Sequence, residues 1–306
     1  MKGIQCLSSK PMLRGRNIDG SYGKYSIDVP YYLRLYMQLS AIQWRILNGA
    51  ITLYTDKAMK KYLASYDMLK YWDDIDTDVI ENFEQSHPNI DDQIFWSAAK
   101  FACYKNQTAP FACIDTDLIP WQKFTFAPNV AFGFAYWESV EDGDYSYPPI
   151  EKIKSPSDYS FHAKDSYMAI ATNMSVTYFG DENFKNLFVK EALSFMENNV
   201  HIPTNDNYAT PEILYMEQRV PLAIVIEQNM RYEPIIDSIW SPKQFCFIKE
   251  DKRYAEWFFA GIDKNKPFTH LWFHKNYLSQ NEKARQQYTL ELERELEISR
   301  RAFGWP

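Results

Sequence analysis

Hydrophobic and polar positions follow two different periods along the first part of the chain. Residues Gly3–Leu7 form a short apolar run that a polar segment ends, as at the close of a strand. Residues 30–47 are dense in apolar side chains, with Pro30 near the first turn, and predict a helix. Residues 50–54 predict a second, buried strand. Strand, helix and strand in this order form a βαβ unit, so we expect an α/β fold with a parallel sheet.

A third strand follows after further helices. Residues 57–66 predict one helix, and a segment opened by Asp91 and Asp92 predicts another. The unbroken apolar run at 110–114 has strand length and stops at Asp115-Thr116-Asp117. Open α/β sheets bind ligands beyond the carboxyl ends of their strands, so this strand is expected to deliver two carboxylates to such a site.

Beyond Pro120 the pattern changes. Residues 121–137 are aromatic and partly alternating, which indicates strands, whereas the Gly- and Pro-containing segment 138–160 indicates a long loop. Strand-like residues at 169–178 precede helices predicted at 182–198 and 211–228. A charged helix is predicted at 281–301, with an apolar stripe of Tyr288, Leu292 and Leu296 that could pack on the body, on another copy or on a partner.

Composition indicates a folded protein, and the cysteines indicate a reducing compartment. The 306 residues carry 33 Lys+Arg against 40 Asp+Glu, a formal charge of −7, and 46% hydrophobic side chains. This acidic balance argues against nucleic-acid binding, which needs many cation–phosphate contacts. The four cysteines form no metal-binding pair, and we find neither a secretory signal nor a membrane span, so we expect a cytoplasmic location. Aromatic residues, at 17%, fill cores but also line sugar-binding grooves.

Two Asp-Thr-Asp triplets are candidates for binding a metal. Mg²⁺ and Mn²⁺ prefer oxygen ligands, and a pair of nearby carboxylates can hold one such ion on a diphosphate. The triplet at Asp76 and Asp78 lies in a polar run with no predicted strand before it, which favours a solvated loop or a helix cap. The triplet at Asp115 and Asp117 directly follows the buried strand and is our candidate metal site.

These features carry a resemblance to a known superfamily. Leu53-Tyr54-Thr55-Asp56, the helical segment Phe95-Trp96-Ser97-Ala98-Ala99-Lys100, and Pro110 to Asp117 resemble the nucleotide-sugar half of GT-A glycosyltransferases. The resemblance implies a GT-A-like α/β fold, a three-layer sandwich with a mostly parallel mixed central sheet. It places Asp56 near the nucleoside and Lys100 near the donor phosphates or sugar, and it assigns Asp115 and Asp117 to the metal.

The resemblance extends into the second half of the chain. Ala171 to Phe179 is similar to an Asn-containing strand of glycogenin-like and lipopolysaccharide galactosyltransferase-like enzymes. Their Asp-Gln pair at the sugar and acceptor site corresponds here to Glu217-Gln218, whose acidic residue is one methylene longer. If the reaction inverts the sugar's configuration, it needs a carboxylate as general base, for which Glu217 is the first candidate and Glu212 the second. A late His and Lys of these families correspond to His270, as third metal ligand, and Lys275, on the diphosphate. The intervening Gly is absent and the spacing is one residue shorter, so His274 is an alternative ligand.

The resemblance therefore implies one GT-A-like domain over residues 1–306, with a nucleotide-sugar half at 1–120 and an acceptor half at 121–306. The expected activity is metal-dependent sugar transfer from a nucleoside-diphosphate sugar, most often a UDP-sugar, to a glycan or small hydroxyl acceptor. Mn²⁺ or Mg²⁺ would be the cofactor. The alternatives are an inactive GT-A-like protein that binds a nucleotide or glycan, and a nucleotidyltransferase. The latter class usually has a Gly-rich loop with a basic residue after the first strand, and residues 8–23 lack a compact version of it.

Overall fold

A computed structural model describes most of the chain. The described residues are 1–16, 22–24, 26–92, 94–140, 147–162, 170–199, 211–241, 246–249, 252–254, 262–271 and 274–305. Among the helices in these ranges, none is both long enough and apolar enough to cross a membrane.

The first half contains the predicted strand–helix alternation. Its elements are β1 (Gly3–Leu7), α1 (Lys10–Leu13), β2 (Arg14–Arg16), β3 (Tyr22–Lys24), α2 (Tyr31–Leu47), β4 (Ile51–Thr55), α3 (Lys57–Ser65), β5 (Asp74–Asp76), α4 (Asp78–Ser86), α5 (Ala98–Lys105), β6 (Phe111–Ile114) and β7 (Leu118–Pro120). The predicted strands at 3–7, 50–54 and 110–114 and the helices at 30–47 and 57–66 are all confirmed. The helix expected from Asp91 begins only at Ala98, after a series of turns, and β5 was not predicted.

The second half mixes strands with longer helices. Its elements are β8 (Phe132–Ser139), β9 (Ile170–Thr172), β10 (Val176–Phe179), α6 (Glu182–Asn198), α7 (Pro211–Leu214), a π-helical segment (Tyr215–Arg219), α8 (Val220–Glu227), β11 (Tyr232–Ser241), β12 (Cys246–Lys249), β13 (Lys252–Tyr254), β14 (Phe268–His270), α9 (His274–Gln280) and α10 (Glu282–Ala302). The helices predicted at 182–198, 211–228 and 281–301 are confirmed. In the region 121–137, only the part from Phe132 onward is a strand, which extends to Ser139.

One large mixed sheet organises the described strands. Its order is β13-β12-β11-β8-β10-β6-β1-β4-β5, and β9 pairs with the far end of β8. The pairings give β1, β4, β5, β6, β8, β11 and β13 one direction and β9, β10 and β12 the other. The sheet is therefore mixed, with most strands running the same way, as expected.

Helices cover both faces of this sheet. Along β6, Phe111 and Cys113 join a core with α4, α5, α6 and α8, whereas Ala112 and Ile114 join a second core with α2, α3 and α10. Successive strand residues point to opposite faces, so a strand buried on both sides reads as a continuous apolar run. The expected α/β architecture, with three layers around a mostly parallel mixed central sheet, is confirmed.

The carboxyl ends of β1 and β6 define a crevice. Both strands pair in parallel and lie side by side, but the chain leaves β1 toward β4 on one side and reaches β6 on the other. The strand order therefore reverses between β1 and β6. Ligands of open α/β sheets bind at such a reversal, outside the carboxyl ends of the strands.

The C-terminal helix packs on the body of the protein. Tyr288 of α10 stacks on Tyr36 of α2 with ring centroids 6.5 Å apart, and Gln43 Nε2 donates to Ser299 Oγ at 2.7 Å. Leu292 and Leu296 of the predicted stripe are buried against the same core. The stripe therefore makes an intramolecular contact.

Candidate active site

The loop after β6 is fixed by backbone hydrogen bonds on both sides. The Asp115 amide donates to the Ser175 carbonyl at 2.8 Å, and the Leu271 amide donates to the Asp117 carbonyl at 2.9 Å. Residues from two distant parts of the chain therefore hold the two aspartates at the carboxyl end of β6. Their side chains face the crevice beside β1.

Asp115, Asp117 and His270 converge on one point. One potential ligand atom from each residue lies within 4.8 Å of those of the other two. β14 pairs with β7 so that His270 is opposite Leu118, the residue after Asp117, which explains how a residue so far along the chain reaches the triplet. Two carboxylates and an imidazole suit Mn²⁺, and they also tolerate Mg²⁺, because both ions accept oxygen ligands. The donor set therefore fits a divalent cation.

The protonation of His270 supports a role as a ligand. Burial lowers the pKa of His270, and this effect outweighs the nearby aspartates, which would raise that pKa. The imidazole is therefore neutral near pH 7 and has a lone pair to offer. Its Nδ1 lies 3.4 Å from the Tyr136 hydroxyl, and its Nε2 lies 4.0 Å from Asp117 Oδ1. Tyr136, which orients the ring, was not found from the sequence because it lies within an aromatic strand with no motif.

Two lysines balance the charge of the aspartates. The Lys275 ammonium contacts Asp117 Oδ2, and Lys100 Nζ lies 2.6 Å from Asp115 Oδ1. Burial opposes ionisation of Asp117, but Lys275 and then His270 outweigh it and hold the pKa of this carboxyl far below its usual range. Burial likewise lowers the pKa of Lys100, and the attraction of Asp115 and Glu217 reverses this shift, so the pKa of Lys100 is raised. Asp117 and both lysines are therefore charged at neutral pH.

Lys100 also connects the aspartates to Glu217. Its Nζ donates to Glu217 Oε1 at 2.8 Å, and the Ser97 hydroxyl donates to Glu217 Oε2 at 2.9 Å. Glu217 is nearly fully buried, so these two bonds satisfy a carboxylate that water hardly reaches. Ser97 belongs to the segment that resembles GT-A enzymes, but the sequence did not indicate its contact with Glu217.

A π-helical segment positions Glu217 and Gln218. Residues Tyr215–Arg219 widen the helix by one residue, and both Glu217 and Gln218 line the same cavity. Such bulges are rare and occur frequently at functional sites. The sequence predicted a continuous helix here, without the bulge.

One cavity of about 340 Å³ unites these groups, a size typical of small-ligand sites. It contains seven of the eight predicted site residues, namely Lys100, Asp115, Asp117, Glu217, Gln218, His270 and Lys275. Asn173 and Ser175 from the Asn-containing strand line it too.

The eighth residue, Asp56, has a different setting. It caps α3 by accepting the Met59 amide at 2.8 Å, and it accepts the Ser9 hydroxyl at 2.8 Å and the Ser9 amide at 2.5 Å. Asp56 is not among the described residues that line the cavity, although Ser8 beside its partner is. Its predicted position near a nucleoside remains a prediction.

The other candidates lie apart from this cluster. Glu212 accepts the Lys154 amide at 3.3 Å and is not among the described cavity residues. The His274 side chain lies outside the described part of the structure. Asp76 Oδ1 accepts the Asp78 and Val79 amides at 2.9 and 3.0 Å, so the first Asp-Thr-Asp triplet caps a helix, as predicted.

The chain belongs to a family of unknown function, DUF6734, whose model matches residues 1–297. No curated protein sequence matches the chain.

Comparison with solved structures finds distant likenesses. Mouse xyloside xylosyltransferase 1 is 9% identical with a TM-score of 0.35, covering 77% of this chain and 85% of its own. The PaToxG glycosyltransferase is 12% identical with a TM-score of 0.35, covering 74% of each chain. The nucleoside-diphosphate-sugar pyrophosphorylase of Vibrio cholerae is 9% identical with a TM-score of 0.36, covering 79% of this chain and 93% of its own. These values are too low to assign an activity.

Proposed function

We propose that the protein is a metal-dependent glycosyltransferase that uses a nucleoside-diphosphate sugar, with a UDP-sugar as the favoured donor. The observation that carries this proposal is the convergence of Asp115, Asp117 and His270 beside Lys275 and Lys100 at the strand-order reversal. A diphosphate needs positive charge on several oxygens, and this cluster offers two lysines and a donor set for one divalent cation.

Each group has a distinct task in this proposal. Asp115, Asp117 and His270 would hold Mn²⁺ or Mg²⁺, which supplies electrostatic stabilisation of the departing diphosphate. The Lys275 ammonium would exchange its ion pair with Asp117 for one with a phosphate oxygen. Lys100 would keep Glu217 and Asp115 in place beside the transferred sugar. The half at 1–120 would bind the donor, the half at 121–306 would complete the acceptor side, and the setting would be cytoplasmic.

Glu217 and Gln218 would face the transferred sugar and the acceptor. Lys100 and Ser97 occupy one lone pair on each Glu217 oxygen, and each oxygen keeps a second one. In an inverting reaction Glu217 is the general base that removes the acceptor hydroxyl proton. In a retaining reaction it orients hydroxyl groups instead. The configuration of the product's anomeric carbon distinguishes these two roles.

The experiment that tests this proposal measures Mn²⁺-dependent hydrolysis of UDP-glucose, UDP-galactose, UDP-N-acetylglucosamine and GDP-mannose by released nucleotide. We expect turnover of at least one donor, lost on chelation and reduced by at least about 100-fold in Asp117→Asn. Metal-dependent nucleotide binding without turnover would instead support the inactive binding protein. Pyrophosphate release from a nucleoside triphosphate and a sugar phosphate would support the nucleotidyltransferase.

A further inference from the structure

A tryptophan lies exposed at the edge of the cavity. Trp96 keeps 46% of its surface accessible, and it lines the cavity together with Met12, which is 38% exposed. Large aromatic side chains contribute most when they are covered, so an accessible indole on a cavity wall provides apolar area for a ligand. The remainder of this cavity combines charged and polar side chains with apolar ones. An aromatic surface beside carboxylates and amides is therefore a mixed site for a ligand that has both apolar and hydroxyl faces.

The contacts of the site give Trp96 a defined place. At one end of the site, the Lys275 ammonium contacts Asp117 and His270 Nε2 lies 4.0 Å from Asp117 Oδ1. Lys100 then bridges Asp115 at 2.6 Å and Glu217 at 2.8 Å. Glu217 accepts the Ser97 hydroxyl at 2.9 Å, and Trp96 directly precedes Ser97. This series of contacts runs from the candidate metal ligands to Ser97, and the preceding residue, Trp96, lines the same cavity as Glu217 and Gln218.

The chemistry along this series determines which ligand fits. A diphosphate belongs at the cationic end, so the sugar attached to it extends toward Lys100 and Glu217. A second group that approaches the transferred sugar then meets Glu217, Gln218 and Trp96. A pyranose ring offers axial C–H groups to an aromatic face and equatorial hydroxyls to carboxylate and amide groups.

From this arrangement we propose that Trp96 is the stacking platform of an acceptor subsite, and that the acceptor is a carbohydrate. The proposal rests on the proposed glycosyltransferase function and assigns its acceptor class. Glu217 and Gln218 hydrogen-bond the hydroxyls of the ring that stacks on Trp96. The indole thereby selects a saccharide over a small aliphatic alcohol or a protein side chain.

The test uses the full chain saturated with UDP and Mn²⁺ and titrates maltose, lactose and cellobiose by calorimetry. We expect wild type to bind at least one of them, and Trp96→Ala to weaken that binding by at least about tenfold. Trp96→Phe should recover most of the affinity, because phenylalanine keeps an aromatic face. Saturation-transfer NMR should show contact through the C–H protons of one face of the sugar.

Trp121→Ala is the matched control. Trp121 is half-buried, donates its Nε1 hydrogen to Thr269 Oγ1 at 2.7 Å, and is not among the described cavity residues. Its replacement should leave saccharide affinity unchanged, and thermal unfolding of both variants shows whether they are folded.

Three results would overturn the proposal. They are saccharide binding that Trp96→Ala does not weaken, no saccharide binding by a wild type that binds UDP, and weaker UDP binding in Trp96→Ala. The last result would mean that the indole stacks on the nucleobase. Failure of wild type to bind UDP with Mn²⁺ is a separate outcome, since it would contradict the glycosyltransferase function itself.

Discussion

Lys275 and a divalent cation compete for the same carboxylate. The ammonium of Lys275 contacts Asp117 Oδ2, and Lys100 contacts Asp115 Oδ1, so both aspartates already have a cationic partner. A cation that binds alone must displace these contacts at an electrostatic cost. A diphosphate that arrives with the cation gives the lysines a new anionic partner. Binding of the metal and binding of the nucleotide should therefore be positively coupled.

Lys275→Met is predicted to separate these two effects. Without the competing ammonium, Mn²⁺ alone should bind about five- to tenfold more tightly, while UDP in the presence of Mn²⁺ should bind more weakly. Electron paramagnetic resonance of free Mn²⁺ measures the first quantity and calorimetry the second. Lys264→Met is the control, because Lys264 pairs with Glu295 away from the cavity. Unchanged Mn²⁺ affinity in Lys275→Met would show that Lys275 does not compete with the metal.

The two Asp-Thr-Asp triplets show what sequence could and could not decide. The sequence favoured a solvated loop or a helix cap for the Asp76 triplet, and the structure shows a helix cap. No strand was predicted before this triplet, but a short strand, Asp74–Asp76, leads into it. β5 has a single partner, β4, at the edge of the sheet among the described strands, whereas β6 lies at the strand-order reversal. Sheet position distinguishes the triplets, and this position depends on pairings between distant residues.

At the scale of elements, local patterns predicted the helices and parallel strands well because each carries its own periodicity. The predicted bounds of α6 at 182–198 agree with the structure. The π-helical segment was not predictable, because an inserted residue has no local sequence signal. The contacts of Lys100 and Ser97 with Glu217 were not predictable either, because they join residues far apart along the chain.

The contact between α10 and α2 gives a prediction about stability. Leu292 is fully buried in this contact, whereas Leu290, two residues earlier on the same helix, is 66% exposed. Leu292→Ala should lower the free energy of unfolding by about 2–5 kcal/mol, because it removes buried methyl groups and leaves a cavity. Leu290→Ala should change it by less than about 0.5 kcal/mol. Urea unfolding of the two variants checks this, and equal effects would mean that α10 does not pack through its Leu292 face.

At the scale of the whole molecule, His162 links the segment 147–162 to two helices. His162 Nε2 lies 2.8 Å from Glu191 of α6, and its Nδ1 lies 2.8 Å from Glu227 of α8. Burial lowers the pKa of His162, but the hydrogen bonds to Glu191 and Glu227 outweigh it and raise this pKa from 6.5 to about 9. The folded state therefore binds a proton here more tightly than the unfolded chain does.

This linkage predicts a pH dependence of stability. The contribution of His162 should be complete below pH 6.5 and should be lost as pH rises through 9. Partial solvent exposure screens the ion pairs, so we expect a loss of about 1 kcal/mol. Urea unfolding at pH 6 and pH 10 measures it, with His162→Gln as the comparison. If the variant loses as much stability over this range as wild type, His162 is not the group responsible.

The topology of the sheet was only partly contained in the sequence. The parallel direction of β1, β4 and β6 follows from local βαβ signals, because parallel strands need helical crossovers, but their order in the sheet does not. The pairings of β8, β10 and β11 join residues far apart along the chain and have no such signal. For the same reason, the sequence suggested His270 as a ligand only through the family resemblance. In the structure, the β7–β14 pairing places His270 beside the Asp115 triplet.

The most direct test of the central claim is calorimetric titration of UDP into wild type and Asp115→Asn, with and without Mn²⁺. The account predicts binding to wild type that requires Mn²⁺ and that is lost in Asp115→Asn. Asp76→Asn, altered in the capping triplet, should bind as wild type does. Binding of UDP that is independent of Mn²⁺, or that is unchanged in Asp115→Asn, would contradict a metal-dependent nucleotide site at Asp115, Asp117 and His270.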